Sequence, residues 1–227
     1  MPERVVALLP MRHHSQRVPG KNYRPLAGRP LFHHVLQSLL ACPHIQEVVI
    51  DTDSPLINEQ VRSSFPQVRL LERPPHLRDG RVSMNRVLLH DVEQVPADIY
   101  LQTHSTNPLL TTATITRALE RFRQARPHYD SLFSVCPLQV RLWDNRGRPL
   151  NHDPDHLLPT QELEPLYQEN SCLYIFTAQS LRATGNRIGR RPLMFVMEPL
   201  ESWDIDQELD FEIAQFLFLK YRKGRNP

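Results

Sequence analysis

Residues 5–10 read VVALLP, and the polar loop MRHHSQRVPGKN follows at residues 11–22. A short apolar run without polar alternation is typical of a strand that is buried on both faces of a sheet. Sheets of this kind are mostly parallel and carry helices on both faces. The loop comes directly after the carboxyl end of the strand, where open α/β sheets bind their ligands. These two stretches therefore predict an α/β fold with a polar site beside its first strand.

The rest of the chain alternates between strand-like and helix-like segments. Strands are predicted at residues 47–53, 68–71, 98–103, 131–136, 171–176 and 193–197. Helices, which are marked by apolar residues three and four positions apart, are predicted at residues 31–42, 56–65, 84–95, 111–124 and 208–221. This alternation predicts a mostly parallel sheet with helices on both faces. Within a single domain of residues 1–227, the polar, proline-rich segment 139–166 is predicted to be a small inserted arm.

Composition excludes several classes of protein. The chain has 227 residues, of which 40% are hydrophobic and 23% charged, as in an ordinary globular protein. Its formal net charge of +2 favours neither a nucleic-acid partner nor a membrane partner. The three cysteines are far apart in the sequence, so they predict a reducing cytoplasm rather than a disulfide framework or a thiolate zinc site. The sequence contains neither of the glycine-rich phosphate-binding motifs, GxGxxG and GxxxxGK[ST].

Basic and acidic residues are segregated along the chain. Residues 4–46 contain no Asp or Glu, whereas residues 198–212 contain seven acidic residues and no Lys or Arg. Together the two segments suggest a site for a metal–polyphosphate, although both could equally be solvated surface. Asp204 and Asp206 are two positions apart, so an extended backbone would place both carboxylates on one side, where they could hold Mg²⁺. The alternative is that these acids favour the N-terminal dipole of the helix that follows.

The loop itself carries a recognisable motif. The pattern R-x-x-S-x-R-x-P-G-K-N at residues 12–22, followed by RPLAGRPL at 24–31, resembles the signature of the CMP-sialic acid synthetases, or acylneuraminate cytidylyltransferases. Five later segments resemble the same family in the same order, namely residues 48–53, 73–79, 101–109, 170–176 and 201–206. Six ordered matches over nearly the whole chain are much more specific than any one of them.

The resemblance implies an α/β fold of the nucleotide-diphospho-sugar transferase type. It also implies the reaction that this family catalyses. A cytidylyltransferase of this family transfers CMP from CTP to a 2-keto-3-deoxy sugar acid of the nonulosonic or sialic type and releases pyrophosphate. The resemblance also implies a homodimer in which the arm reaches over the partner's site. The predicted partners are CTP and the sugar acid, with no nucleic acid and no membrane.

The same resemblance implies roles for individual residues. Arg12 and Lys21 would be catalytic, since cations beside the α-phosphate stabilise the charge that builds there. The implied nucleotide contacts are Arg12, Ser15, Arg17, Lys21, Asn22, Arg73 and Ser83. The implied sugar-acid contacts are Gln102, Gln161 and Asn170. Asp204 and Asp206 would bind the cofactor Mg²⁺.

Two departures from the family pattern keep alternatives open. Gln16 stands where the family often has Lys, and Pro159-Thr160 stands where an Arg often precedes Gln161. One alternative is a nucleotidyltransferase that uses another sugar or another NTP. The other is a catalytically silent, nucleotide-binding homodimer with the same fold.

Overall fold

The computed structural model describes residues 3–221, which form nine strands and six α-helices. The strands are β1 (Val5–Leu8), β2 (Pro25–Leu26), β3 (Arg29–Pro30), β4 (Glu47–Thr52), β5 (Arg69–Glu72), β6 (Ile99–Thr103), β7 (Ser131–Leu138), β8 (Leu166–Phe176) and β9 (Pro192–Val196). The helices are α1 (Leu31–Leu40), α2 (Pro55–Ser64), α3 (Met84–Gln94), α4 (Thr112–Ala125), α5 (Ala178–Thr184) and α6 (Glu208–Tyr221). Every predicted element is present. The prediction missed the short hairpin β2–β3 and helix α5, and it placed the start of β8 too late.

Seven of these strands form one sheet in the order β5-β4-β1-β6-β8-β7-β9. Strands β5, β4, β1 and β6 are parallel to one another, and β9 is parallel to β7. Strand β8 runs antiparallel between β6 and β7. The predicted fold class, a mostly parallel sheet in an α/β protein, is therefore confirmed.

The side chains of β1 alternate between two apolar cores, one on each face of the sheet. Val5 and Ala7 belong to a core that includes side chains of α1, α2 and α4. Val6 and Leu8 belong to the opposite core, with side chains of α3 and α5. All four are at most 1% exposed, so the apolar run reflects burial on both faces, as predicted.

A third, smaller apolar cluster joins the two charged segments that lie far apart in the sequence. Val18 and Leu31 pack there with Ile205, Phe211 and Ala214. The same contact carries an ion pair between Arg24 and Glu208, and the Arg24 guanidinium lies 4.2 Å from the centre of the Phe211 ring. Burial of these side chains brings the loop after β1 against the start of α6.

The predicted arm connects β7 to β8. Its residues 139–165 form no helix or long strand apart from a 3₁₀ turn at Thr160–Glu162. Several large apolar side chains of the arm are exposed, including Trp143 at 51%, Leu150 at 61% and Leu157 at 64%. Between residues 3 and 221, no helix is both long and apolar enough to cross a bilayer.

Candidate active site

A cleft of about 590 Å³ opens at the carboxyl ends of β1, β5 and β6. Parts of residues 10–22, 77–84, 104–106 and 204–206 form its walls. Of the residues predicted for the site, the cleft is lined by Arg12, Ser15, Arg17, Lys21, Asn22, Arg73, Asp204 and Asp206. The basic loop and the acidic segment thus meet at one cavity.

Backbone hydrogen bonds and one glycine hold the loop after β1 in place. The Met11 amide donates to the Asp51 carbonyl at 2.9 Å, and the His13 amide donates to Asp53 Oδ1 at 2.7 Å. Gly20 has a φ of +66°, and a Cβ there would come within 2.9 Å of the Tyr23 ring. A residue with a side chain would be strained at this turn, which precedes Lys21 directly.

Asn22 links the loop to the opposite wall of the cleft. Its Nδ2 donates to the Arg12 carbonyl at 2.8 Å, and its Oδ1 accepts from Ser105 Oγ at 2.7 Å. Both ends of the amide are therefore occupied within the protein. In this structure Asn22 orients the backbone that carries Arg12, rather than presenting a free polar group to a ligand.

Lys21 is a largely enclosed cation of the loop. Its side chain is 13% exposed, and Nζ donates to the Ile205 carbonyl and lies 3.9 Å from Asp206 Oδ1. Burial lowers the pKa of Lys21, while the nearby Asp204 and Asp206 oppose that shift. Arg17 Nη2 donates to Asp206 Oδ1 at 2.7 Å from the exposed side of the cleft. Two cations therefore meet one carboxylate at the mouth of the cavity.

Asp204 has a buried carboxylate oxygen, Oδ1, without a hydrogen-bond partner within residues 3–221. Burial raises the pKa of Asp204, and the nearby carboxylate of Asp206 adds to the shift. A carboxylate with a free, desolvated oxygen is stabilised by a cation. The pair therefore fits Mg²⁺, which typically takes one or two protein carboxylates and completes its shell with phosphate oxygens and water.

Arg73 lines the cleft but is committed to a buried ion pair. Its Nε donates to Asp51 Oδ1, and Arg73 and Asp51 are each 1% exposed. Asp91 from α3 lies beside them, and its pKa is raised well above the usual value by burial and by the Asp51 charge. Asp51 Oδ2 and both Asp91 oxygens have no other partner among the described residues. A proton on Asp91 that is donated to Asp51 Oδ2 satisfies that oxygen and one of the two Asp91 oxygens. His90 lies within reach of the two carboxylates, but Arg73 already neutralises the charge that a metal would require.

Four predicted contact residues do not line the cleft. Ser83 is exposed and directly precedes α3, between the lining residues Val82 and Met84. Gln161 is exposed in the arm, outside the cavity of this single chain.

The other two, Gln102 and Asn170, use their amides within the protein. Gln102 is fully buried, and its Oε1 accepts from Arg187 Nη1 at 2.7 Å. Asn170 Oδ1 accepts from Ser134 Oγ at 2.6 Å and from the Cys172 amide at 3.1 Å, at the irregularity between β7 and β8.

The cleft also contains residues that the sequence analysis did not select. Three of them, His104, Ser105 and Thr106, follow β6 directly. Their position after a parallel strand was a signal that could have identified them. Burial, with the nearby charges of Arg187 and Lys21, lowers the pKa of His104 to about 3, so its imidazole is neutral at physiological pH.

Two further residues that line the cleft, Ser171 and Gly80, do not directly follow a parallel strand, so their position in the sequence does not mark them. Ser171 has a φ of +55°, a left-handed conformation that is uncommon for a residue with a side chain. A Cβ on Gly80 would lie 2.7 Å from Arg12 Nη1, so the absence of a side chain there makes room for that guanidinium.

Comparisons with known proteins agree with this geometry. The family model described as Cytidylyltransferase matches residues 6–215. The chain is 28% identical over 228 residues to CMP-N,N'-diacetyllegionaminic acid synthase of Legionella pneumophila, covering 94% of this chain and 96% of that protein. It is 24% identical to N-acylneuraminate cytidylyltransferase of Escherichia coli over 99% of its own length. That match covers 54% of the E. coli protein, so the chain spans about half the length of this relative.

A solved structure shows the same fold. It is the structure of CMP:2-keto-3-deoxy-manno-octonic acid synthetase complexed with CTP. The two structures superpose with a TM-score of 0.69 at 17% sequence identity, and the match covers 96% of this chain and 99% of that one. The predicted resemblance to the CMP-sialic acid synthetases and the predicted type of α/β fold are confirmed. With the family model matched over most of its length, this chain belongs to the cytidylyltransferase family.

Proposed function

We propose that this chain transfers CMP from CTP to a 2-keto-3-deoxy sugar acid of the nonulosonic type and releases pyrophosphate. The observation that carries the proposal is the convergence of the loop cations Arg12 and Lys21 with Asp204 and Asp206 on one cleft. Such a site can hold a triphosphate and its counter-ion together. The two relatives described above are named for CMP-sugar-acid synthesis, which supports the choice of nucleotide and of acceptor class.

In this reaction the anomeric hydroxyl of the sugar acid attacks the α-phosphorus of CTP. A new P–O bond to the sugar forms as the bond from the α-phosphorus to the bridging oxygen breaks. The electron pair of the broken bond leaves with pyrophosphate, and the proton of the hydroxyl is released to water. Arg12 and Lys21 provide positive charge on the loop side, where it stabilises the developing charge of the phosphates. No covalent intermediate with the protein is needed, because the acceptor hydroxyl itself is the nucleophile.

Asp204 and Asp206 are proposed to hold Mg²⁺. When bound, Mg²⁺ neutralises the triphosphate and polarises the α-phosphate. The two carboxylates would hold this charge beside Lys21, so that the metal and the loop cations would face the triphosphate together. Lys21, close to both aspartates, limits their mutual repulsion before the nucleotide arrives.

Pyrophosphate release measured with CTP, GTP, ATP and UTP, each with several 2-keto-3-deoxy sugar acids, tests the proposal. We expect release with CTP and at least one nonulosonic acid, and far less with the other nucleotides. Release with a different nucleotide would favour the alternative of another NTP. Binding of CTP and Mg²⁺ without release of pyrophosphate from any sugar acid would favour the catalytically silent alternative.

We expect Lys21→Ala to weaken CTP binding by about 10- to 100-fold, because a hydrogen bond to a charged group contributes about 1.5–3 kcal/mol. Calorimetric titration with CTP and Mg²⁺ measures the change. Lys220→Ala, which removes an exposed cation from α6, is the matched control and should bind CTP normally. An unchanged CTP affinity in the Lys21 variant would remove this side chain from the site.

The arm is proposed to form a homodimer contact. The exposed apolar side chains at residues 139–166 are Val140, Trp143, Leu150, Leu157, Leu158 and Leu166. Several large apolar side chains exposed within one short segment are consistent with a protein interface.

We expect Leu157→Glu to shift a dimer toward monomer in sedimentation experiments, because it places a charge in the apolar contact. Leu209→Glu is the matched control, since Leu209 on α6 is 63% exposed, against 64% for Leu157. A wild-type monomer, or equal dissociation of both variants, would contradict the arm contact.

A cytoplasmic location is proposed from the cysteines. Cys42, Cys136 and Cys172 are all free and buried. Free thiols of this kind are typical of reducing compartments.

A further inference from the structure

Arg187 is a half-buried cation that adjoins one end of the cleft. Its guanidinium carbon lies 3.6 Å from the centre of the Tyr174 ring, and Nη1 donates to Gln102 Oε1 at 2.7 Å. The residue precedes β9 and packs onto β6 and β8, which meet at the centre of the sheet. A guanidinium stacked on a ring and held at one nitrogen has a fixed direction, and its other N–H groups can face a ligand.

Gln102 is arranged to orient this guanidinium. Its Oε1 must face Arg187, because a guanidinium can only donate hydrogen bonds. Its Nε2 donates to the Thr103 carbonyl at 2.8 Å and lies 3.2 Å from His104 Nε2. With both ends of the amide occupied and the side chain fully buried, Gln102 offers no free polar atom to the cleft.

The charge of Arg187 lacks a direct carboxylate partner. No salt bridge joins it to an acid in the part of the chain that the structure describes. Glu169 accepts a hydrogen bond from the Tyr174 hydroxyl and so reaches Arg187 only through the tyrosine. Burial lowers the pKa of Arg187 despite the attraction of Tyr174 and Glu169, so the protein does not fully compensate this cation.

The position of Arg187 relative to the cleft follows from its neighbours. His104, which lines the cleft, is influenced by the charges of both Arg187 and Lys21. Ser171, another lining residue, lies 3.2 Å from the Tyr174 hydroxyl, under the same guanidinium. Arg187 is therefore on the β8 side of the cleft, joined through Gln102 to His104 and through Tyr174 to Ser171.

We infer that Arg187 binds the carboxylate of the sugar-acid acceptor and that Gln102 positions it for this contact. The inference rests on the proposed function and specifies how the acceptor is recognised. In a 2-keto sugar acid the carboxylate is attached to the anomeric carbon, so it enters next to the reacting hydroxyl and has to be placed near the α-phosphate. A guanidinium can take both carboxylate oxygens at once, and the ligand then provides the counter-charge that the protein lacks. The contact selects acids over neutral sugars, so Arg187 is a specificity-determining residue.

Steady-state kinetics with the acceptor sugar acid and with its carboxamide analogue tests the inference. Arg187→Met keeps an unbranched side chain at this position and removes the guanidinium and its charge. We expect it to raise KM for the acid by about 10- to 100-fold, as for loss of a hydrogen bond to a charged group, with KM for CTP unchanged. Arg190→Met removes an exposed arginine from the same segment and should leave both constants unchanged.

The analogue makes the test independent of any folding defect in the variant. The wild type should prefer the acid over the amide by a similar factor, and Arg187→Met should lose most of that preference. Equal use of acid and amide by the wild type, or a full preference retained in Arg187→Met, would overturn the role of Arg187. Failure of the wild type to release pyrophosphate with any sugar acid would instead overturn the proposed function, and the inference with it.

Discussion

Replacing Asp206 with Asn should lower cytidylyl transfer by about 10²- to 10³-fold, the usual cost of removing one well-placed electrostatic group from an active site. Asp206 lies at the mouth of the cleft, where its carboxylate faces Arg17 and Lys21. An amide of the same shape keeps hydrogen-bonding capacity but loses the charge that would hold Mg²⁺ with Asp204. Because its side chain is 46% exposed, the free energy of unfolding should change little.

Pyrophosphate release at several Mg²⁺ concentrations, together with a thermal unfolding curve, measures both effects. Glu208→Gln removes an acid two residues further along, which pairs with Arg24 rather than facing the cleft, and should leave turnover unchanged. Normal turnover of Asp206→Asn at ordinary Mg²⁺ concentrations would show that the metal assignment is wrong.

The largest loss of stability is expected from Arg73→Met. Arg73 and Asp51 form a fully buried ion pair, and removing the guanidinium leaves the Asp51 carboxylate without its counter-ion. Breaking such a pair from one side costs about 3–5 kcal/mol in the free energy of unfolding. Chemical denaturation at neutral pH measures the loss, and a cost below about 1 kcal/mol would contradict a charged pair at this site.

Asp91→Asn is the matched contrast, because burial and the Asp51 charge favour the protonated, neutral form of Asp91 in the folded protein. An asparagine amide can donate to Asp51 Oδ2 in place of the shared proton, so at low pH the change should stay within about 1 kcal/mol. In the unfolded chain Asp91 ionises near pH 4, whereas its folded pKa is raised. As pH rises from about 4 through the folded pKa, the folded state retains a proton that the unfolded state has released, and the wild type loses stability.

The Asn variant has no such proton, so its stability relative to the wild type should rise with pH over that window. Unfolding curves collected at a series of pH values measure this difference. If the difference between the two proteins does not depend on pH, Asp91 is already ionised in the folded state.

Sequence reasoning reached the fold and most of the cleft, because both depend on local patterns. The uninterrupted apolar run at β1 predicts a strand that is buried on both faces. The helices are predicted from apolar residues that recur every three or four positions. The loop cations can be identified because they lie within one short segment, and the aspartate pair because its members are two positions apart. The family resemblance then predicts that the two sets belong to the same site. Helix α5 was missed because it is only seven residues long and follows a predicted strand directly.

Other features depend on contacts between distant residues, which no local pattern contains. Gln102 is predicted to contact the sugar acid, and in the structure its side chain accepts a hydrogen bond from Arg187, 85 positions away along the chain. The raised pKa of Asp91 follows from burial beside a second carboxylate, and the strained backbone of Ser171 lies where β8 meets the irregularity in β7. The spacing of apolar residues predicts which side chains are buried, and the distribution of charged residues along the chain predicts which segments carry a charged site. The protonation and direction of a side chain depend on what packing brings against it, so they are settled when the sheet and its helices assemble.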